Sequence, residues 1–545
     1  MGYIINIFYF AINSMKFFQK MSQVRLVLLV SVFITLTGNF TFFEKTILVY
    51  PLSQNTLFIS SLFVWLFVFL SVLLLLLCFR HTIKPILIIL LLTSAVVAYA
   101  VNNYGIVVDE NMISSVFETN ASESLDLVSY KLIPYVLFLG VLPSFFVWRM
   151  EIIRLPLVSQ LWRRVQIIIG LILVFILIAI SFSKHYTSFA RENRDLKLYI
   201  NPTYYLYAVA KYVNTKFDTA STPFMEIGLD ATINKPDYAR RLVVLVVGET
   251  ARADRFSLNG YERQTNPLLE QESVISFKNM TSCGSDTALS VPCMFSYLDR
   301  EDYSHAKGKN MSNVLDVINQ AGVEVLWRDN NSDSKGVADR ITFEDYLSVG
   351  VNPICESECR DEGMLSGLQS YIDDRPESDI LIVLHTMGSH GPAYYKRYPD
   401  VFEVFKPTCK TNQLNECSDE QINNAYDNTI VYADYFLSKV IELLKHNAES
   451  LDTAMFYISD HGESLGENGV YLHGMPYFMA PIAQVHVPAL MWFNESFSSK
   501  INMSALKVTA NEPLSHDNLF HTLLGLMNIK TEVYNNQLDI IDYAQ

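Results

Sequence analysis

Charge is scarce in this chain. Of its 545 residues only 18% are Asp, Glu, Lys or Arg while 50% are apolar, and the mean hydropathy is +0.20. That balance excludes disorder and is too apolar for one ordinary soluble domain. Glycine and proline are sparse as well, at 22 and 19 residues, which leaves no room for a collagen-like repeat. Seven cysteines over this length are too few for a disulfide-built miniprotein. No two of them stand in the C-x2-C spacing of a zinc ribbon. Basic residues are short where a nucleic-acid binder would need them. The first 200 residues carry a net +6, and the remaining 345 carry −21 with no basic stripe, so nucleic acid is not the expected partner. At ~100 to 200 residues per domain the length admits two or three units, and the charge asymmetry implies that they live in different environments.

The missing charge is concentrated near the N-terminus, in stretches at 24–42, 57–79, 85–104, 131–148 and 165–183. Crossing a bilayer core takes ~20 residues of helix, ~17 at the short end, so each is read as a membrane span. Leu57 to Phe79 lacks any charged side chain, whereas a buried soluble helix would show a polar face at helical spacing. The fourth stretch contains Pro134 and Pro143, which membrane helices tolerate. Lys16, Lys20 and Arg25 precede the first span, Arg80 and Lys84 separate the second and third, and Arg149, Arg154, Arg163 and Arg164 separate the fourth and fifth. Basic connections stay in the cytoplasm. The alternate connection near 105–130 is acidic, with Asp109, Glu110, Glu118, Glu123 and Asp126, so everything after Ser183 is expected outside. The apolar first 15 residues lack a small-residue cleavage site and read as an uncleaved anchor. The expected organisation is a transmembrane domain at 1–183, a tyrosine-rich interfacial bridge at 184–235 and a catalytic domain at 236–545.

Cys78 falls inside a span; the other cysteines all follow residue 280 as close pairs, Cys283 and Cys293, Cys355 and Cys359, Cys409 and Cys417. An oxidising compartment makes disulfides their expected fate, with local pairing the favoured choice among the possible connectivities.

Beyond 236, short apolar or β-branched runs alternate with helical stretches, the pattern of an α/β doubly wound sheet. Leu242 to Val247, Ile380 to Leu384 and Met455 to Ile458 are apolar throughout, as strands covered on both faces are. Each run ends in residues able to bind metal or move protons. Gly248-Glu249-Thr250 follows the first, His385 and then His390 the second, and Ser459-Asp460-His461-Gly462-Glu463 the third. Ligands in open α/β sheets sit outside the carboxyl ends of the strands, so these groups can converge. Glutamate, aspartate and histidine together suit Zn2+, with Mn2+ the next choice. The segment Thr281 to Cys293 supplies hydroxyls ahead of a predicted helix. A hydroxyl there could attack phosphorus while helix amides hold the phosphoryl oxygens; equally, Ser285 or Asp286 could serve only as an N-cap.

Longer strings sharpen the reading. Val247-Gly248-Glu249-Thr250-Ala251-Arg252-Ala253-Asp254, Thr281-Ser282-Cys283-Gly284, Val291-Pro292-Cys293-Met294-Phe295, Trp327 to Gly336 and Ser459 to Gly469 closely resemble the lipid A phosphoethanolamine transferases of Gram-negative bacteria, including the mobile colistin-resistance enzymes. The resemblance runs through nearly the whole chain, from Thr37-Gly38-Asn39 onward. It implies an alkaline-phosphatase-like (sulfatase-like) periplasmic domain on an all-α domain of five transmembrane helices, in the bacterial inner membrane and acting as a monomer. It implies that Thr287 is the nucleophile, joined by Glu249, Asp460 and His461 around a zinc ion. It places His390 and His473 at a second zinc or at the phosphoryl oxygens, and Asn331, Lys335 and Glu463 near the substrate. Thr119 and Glu123 match family substrate residues; the asparagine expected four positions before Thr119 is Ser115 here. The implied donor is phosphatidylethanolamine and the acceptor lipid A. Alternatives of similar chemistry are a phosphoglycerol or glycan phosphoethanolamine transferase and a phosphatase-like hydrolase. A formylglycine sulfatase is disfavoured, since no Cys-x-Pro-x-Arg string is present. A transporter is disfavoured too, because the proposed spans hold no charge away from their ends.

Overall fold

The computed structural model describes residues 20–118, 130–153, 155–234, 239–356 and 358–543. They fall into two compact units. One draws its described residues from 1–109 and 128–210, the other from 110–127 and 211–545. The division therefore lies inside the bridge expected at 184–235, and the stretch beginning at Glu110 belongs with the second unit although it lies between two spans in sequence.

The first unit is helical: α1 Gln23–Thr37, α2 Phe40–Val49, α3 Leu52–Leu77, α4 Ile83–Tyr104, α5 Leu132–Arg149 and α6 Leu157–Ser181. Four of these, α3 to α6, are each long and apolar enough to cross a membrane, which makes up to five spans among the described residues if the bent pair α1 and α2 counts as one. The continuous first span expected at 24–42 is thus corrected to two helices meeting at 55°. A tertiary contact holds the break. Asn39 Nδ2 donates to the Asn201 carbonyl at 2.9 Å, and the Asn201 N–H returns a bond to Asn39 Oδ1 at 2.9 Å. Within α5 a π-helical stretch, Val136–Val141, lies between the two prolines, which cannot donate to the ordinary helical ladder.

The second unit is built on eight strands: β1 Arg241–Gly248, β2 Ile275–Thr281, β3 Glu324–Asp329, β4 Thr342–Asp345, β5 Ile380–His385, β6 Asp452–Ser459, β7 His486–Phe493 and β8 Pro513–Ser515. Their order is β8-β2-β7-β6-β1-β5-β3-β4. Only β7 runs antiparallel to its neighbours. Every residue of β1, β5 and β6 is buried, which explains the apolar runs Leu242 to Val247, Ile380 to Leu384 and Met455 to Ile458 within them; a parallel sheet is covered by helices on both faces. One such cover is the helix Asp419–His446, opened by a capping box between Ser418 and Gln421 and packed on β6.

The register brings chemistry together. Gly248 pairs with Ser459, Val247 with His385, and Asp329 with His385. Four adjacent strands therefore release their next residues at one level of the sheet. The cysteines of this unit pair locally, Cys283–Cys293, Cys355–Cys359 and Cys409–Cys417.

Candidate active site

Glu249 leaves the end of β1, and Asp460 and His461 leave the end of β6. All three are completely buried. One ligand atom from each lies within 4.8 Å of the others, and among the described residues they form the one such cluster able to hold a metal ion. Thr287 is the first residue of the helix Thr287–Met294, with Asp286 as N-cap, its carboxylate accepting the Leu289 N–H at 3.0 Å. The capping and nucleophile readings of this segment therefore fall on adjacent residues. Thr287 Oγ1 lies 3.2 and 3.1 Å from the Glu249 carboxylate oxygens and 3.2 Å from His461 Nε2. It is only partly buried, so the hydroxyl is the member of the cluster that can meet a substrate.

Each of these three side chains is held from behind. His461 Nδ1 lies 2.8 Å from the Gly462 carbonyl, which keeps that nitrogen protonated and turns Nε2 into the site. Asn331 Nδ2 donates to Glu249 Oε2 and to the Thr386 carbonyl, each at 2.8 Å. The Asp460 Oδ1 oxygen accepts N–H bonds from Thr250 and His461 at 3.1 and 2.7 Å, while its Oδ2, buried, has no hydrogen-bond partner. An uncompensated carboxylate oxygen facing a histidine and a second carboxylate is what a cation would satisfy.

The electrostatics agree. Burial works to raise the Glu249 carboxyl, but the hydrogen bond and charge of His461 prevail and hold it well below the usual carboxylate range. Burial, with the nearby Glu249 charge, lifts Asp460 to about 7. His461 is pushed up to about 10, the effect of burial being overcome by Asp460 and Glu249. Without a cation, then, a proton on His461 balances the carboxylates.

Beside this cluster lies a second group. The His473 ring sits 4.4 Å from that of His461 and 5.4 Å from that of His390, centroid to centroid. His473 Nδ1 is 3.5 Å from Glu463 Oε1. Burial pushes His390 down to about 3 and raises the Glu463 carboxyl. The Nδ1 atoms of both histidines and both Glu463 oxygens lack hydrogen-bond partners. Lys335 Nζ donates to the carbonyl and hydroxyl oxygens of Ser332 at 2.7 and 2.8 Å, so it is folded back on the loop that carries Asn331. Ser115 is on the helix Glu110–Glu118. Met112 of that helix lies over Gly474, where an added methyl would come within 3.2 Å of its Cε. Thr119 and Glu123 lie outside the described residues.

Of three supporting residues, His516 has no signal in the sequence, while Ser290 and Thr250 stand within segments already singled out. Ser290 Oγ donates to the Asp460 carbonyl at 2.5 Å. His516 Nδ1 accepts the Cys283 N–H at 3.1 Å and its Nε2 donates to the Ser459 carbonyl at 3.0 Å, tying the loop before Thr287 to the end of β6. Thr250, within a recognisable string, touches both carboxylates. Close packing extends to Gly462, where a methyl would stand 2.1 Å from the Ala483 carbonyl oxygen. Gly462→Ala is expected to cost about 1–3 kcal/mol of stability and to dislodge His461; thermal unfolding and bound-metal content measure both.

The family described as phosphoethanolamine transferase EptA/EptB matches residues 66–217, and the sulfatase family matches 241–529. The phosphatidylethanolamine transferase Mcr-1 of Escherichia coli is 42% identical over 533 residues, covering 95% of this chain and 97% of the relative. The phosphoethanolamine transferase EptA of Escherichia coli (strain K12) is 39% identical, covering 94% and 95%. Among solved structures, the integral membrane lipooligosaccharide phosphoethanolamine transferase A (EptA) from Neisseria meningitidis superposes with a TM-score of 0.92 at 35% identity, covering 96% of this chain and 99% of that one.

Proposed function

The chain belongs to the phosphoethanolamine transferases, and on that premise we propose that it moves phosphoethanolamine from phosphatidylethanolamine to lipid A, using zinc and a covalent intermediate on Thr287, at the periplasmic face of the bacterial inner membrane. The observation that carries this reading is the Thr287 hydroxyl, partly exposed and within 3.2 Å of both Glu249 and His461.

Glu249, Asp460, His461 and Thr287 would hold the zinc ion, a mixed oxygen and nitrogen set that suits it. When bound, zinc lowers the pKa of a hydroxyl and neutralises charge on a phosphoryl group. The Thr287 oxygen attacks the phosphorus of the donor phosphodiester. The bond to the diacylglycerol oxygen breaks, that oxygen takes a proton, and phosphoethanolamine stays on Thr287. A lipid A phosphate oxygen then attacks the same phosphorus and frees the threonine. The N–H groups of Thr287 and Ala288, beyond the Leu289 N–H that the Asp286 cap takes, would be available to the phosphoryl oxygens. His390 and His473, with Glu463, would receive the remaining phosphoryl oxygens, the ethanolammonium or a second metal; Lys335 would swing from Ser332 to a substrate phosphate. Mass spectrometry of lipid A from cells expressing the protein is expected to show a gain of phosphoethanolamine. Unmodified lipid A together with rapid release of phosphate from simple esters would favour the hydrolase.

Two further outcomes follow from charge. His461 must lose its proton to coordinate, and below about 7 Asp460 must lose one as well. Zinc affinity is therefore expected to rise with pH, by about tenfold per unit between about 7 and 10 and more steeply below 7. Chelator competition across pH measures it, and a flat profile would remove His461 from the ligand set. At the cell surface, an added amine that covers phosphate charge weakens the attraction of cationic polymyxins. Modified lipid A with unchanged polymyxin susceptibility would contradict this.

A further inference from the structure

Thr250 follows Glu249 directly and has a φ of 60°. A β-branched side chain in this left-handed region is a true outlier, since its Cβ crowds the following carbonyl. Glycine would sit there without strain. The contacts of the residue show what the strained turn achieves. Thr250 Oγ1 donates to Glu249 Oε1 at 2.5 Å, and the Thr250 N–H donates to Asp460 Oδ1 at 3.1 Å. Its carbonyl accepts the Tyr426 hydroxyl at 2.7 Å, and that hydroxyl accepts the Arg252 N–H at 3.0 Å. Thr250 and Tyr426 are both fully buried. The helix Asp419–His446 thus pins the turn from outside while the turn holds two carboxylates inside.

Asn331 on Oε2 and Thr250 on Oε1 thus hold Glu249 by both oxygens, in addition to the Thr287 hydroxyl and His461 Nε2 that share the site. The plane of the carboxylate is fixed before any metal arrives. We infer that Thr250 is a positioning residue for the metal, its hydroxyl held over Glu249 by a left-handed backbone to fix the rotation of that ligand. The inference rests on the reading of Glu249 as a metal ligand. Strain tolerated at a buried position beside a ligand is usually functional, and partners that orient ligands typically change metal affinity about 10- to 100-fold when removed.

Full-length protein in detergent micelles tests this with Thr250→Ser, Thr250→Gly, Thr250→Val and a Glu249→Gln control. The readouts are the zinc Kd by chelator competition and the unfolding midpoint of the metal-free protein. Thr250→Ser keeps the hydroxyl and is expected to bind zinc within about threefold of the parent, while Thr250→Gly binds about 10- to 100-fold more weakly. The metal-free midpoint of Thr250→Gly is expected to be unchanged or higher, because the backbone strain is gone. Thr250→Val loses the hydroxyl and keeps the strain; should it fail to fold, the glycine variant carries the comparison. A merely structural threonine would give the reverse, a lower metal-free midpoint with unchanged zinc affinity. That result, or a serine variant as weak as glycine, would overturn the inference. If Glu249→Gln loses zinc while Thr250→Gly does not, the inference fails and the ligand assignment stands. A Glu249→Gln protein with the affinity of the parent would overturn both.

Discussion

Thr287→Ala is expected to lower phosphoethanolamine transfer by at least about 10³-fold, because the step loses its nucleophile and, among the described residues, no other hydroxyl lies within hydrogen-bond distance of both Glu249 and His461; Thr250 reaches Glu249 alone. Ser285, the nearest candidate along the chain, donates instead to the Met475 carbonyl at 2.6 Å. Lipid A from cells making the variant should remain unmodified, and the protein itself should carry no phosphoethanolamine adduct by intact-mass measurement. Thr287 is partly exposed and its hydroxyl bonds lie within the cluster, so folding should change by less than about 1 kcal/mol. Thr287→Ser keeps the hydroxyl and should retain measurable transfer. Transfer at parental rate in Thr287→Ala would end the covalent mechanism and direct attention to direct displacement by the acceptor.

Removing zinc is the second large effect. Exhaustive chelation is expected to abolish transfer and to lower the unfolding midpoint of the second unit, with both restored by added zinc. The reason is the fully buried set of Glu249, Asp460 and His461, where Asp460 Oδ2 has no hydrogen-bond partner and faces His461 Nε2 at 3.4 Å. A ligand present at about 100 times its Kd stabilises the folded state by about 2.7 kcal/mol. For a domain of this size the midpoint should therefore move by about 4 °C. Calorimetry with and without chelator reads the shift, and full activity after chelation, with zinc absent by elemental analysis, would refute the metal reading.

The central strands were legible because burial on both faces leaves only one kind of sequence. The runs expected at Leu242 to Val247, Ile380 to Leu384 and Met455 to Ile458 lie within β1, β5 and β6. The structure lengthens them with polar residues such as Arg241, His385 and Asp452, which are buried by virtue of tertiary hydrogen bonds that no hydropathy pattern records. For example, Arg241 Nη1 donates to the carbonyls of Gly525 and Leu526 at 3.0 and 2.6 Å. The membrane spans were legible for a similar reason, since a bilayer accepts few alternatives to about 20 apolar residues. The bend between α1 and α2 falls at Gly38-Asn39, and the contact that holds it, to Asn201, lies too far along the chain for a local pattern to show.

By itself, the sequence determined the two environments, the apolar strands and the residue types waiting at their ends, because solvent, lipid and buried sheet each select composition locally. Only the tertiary structure decided that Gly248 and Ser459 end level with one another, that Thr287 meets Glu249 and His461, and that Asn331, Ser290 and His516 stand behind the ligands. Those choices depend on strand register and on hydrogen bonds between residues far apart in the chain, and at that range spacing along a sequence carries no geometric information.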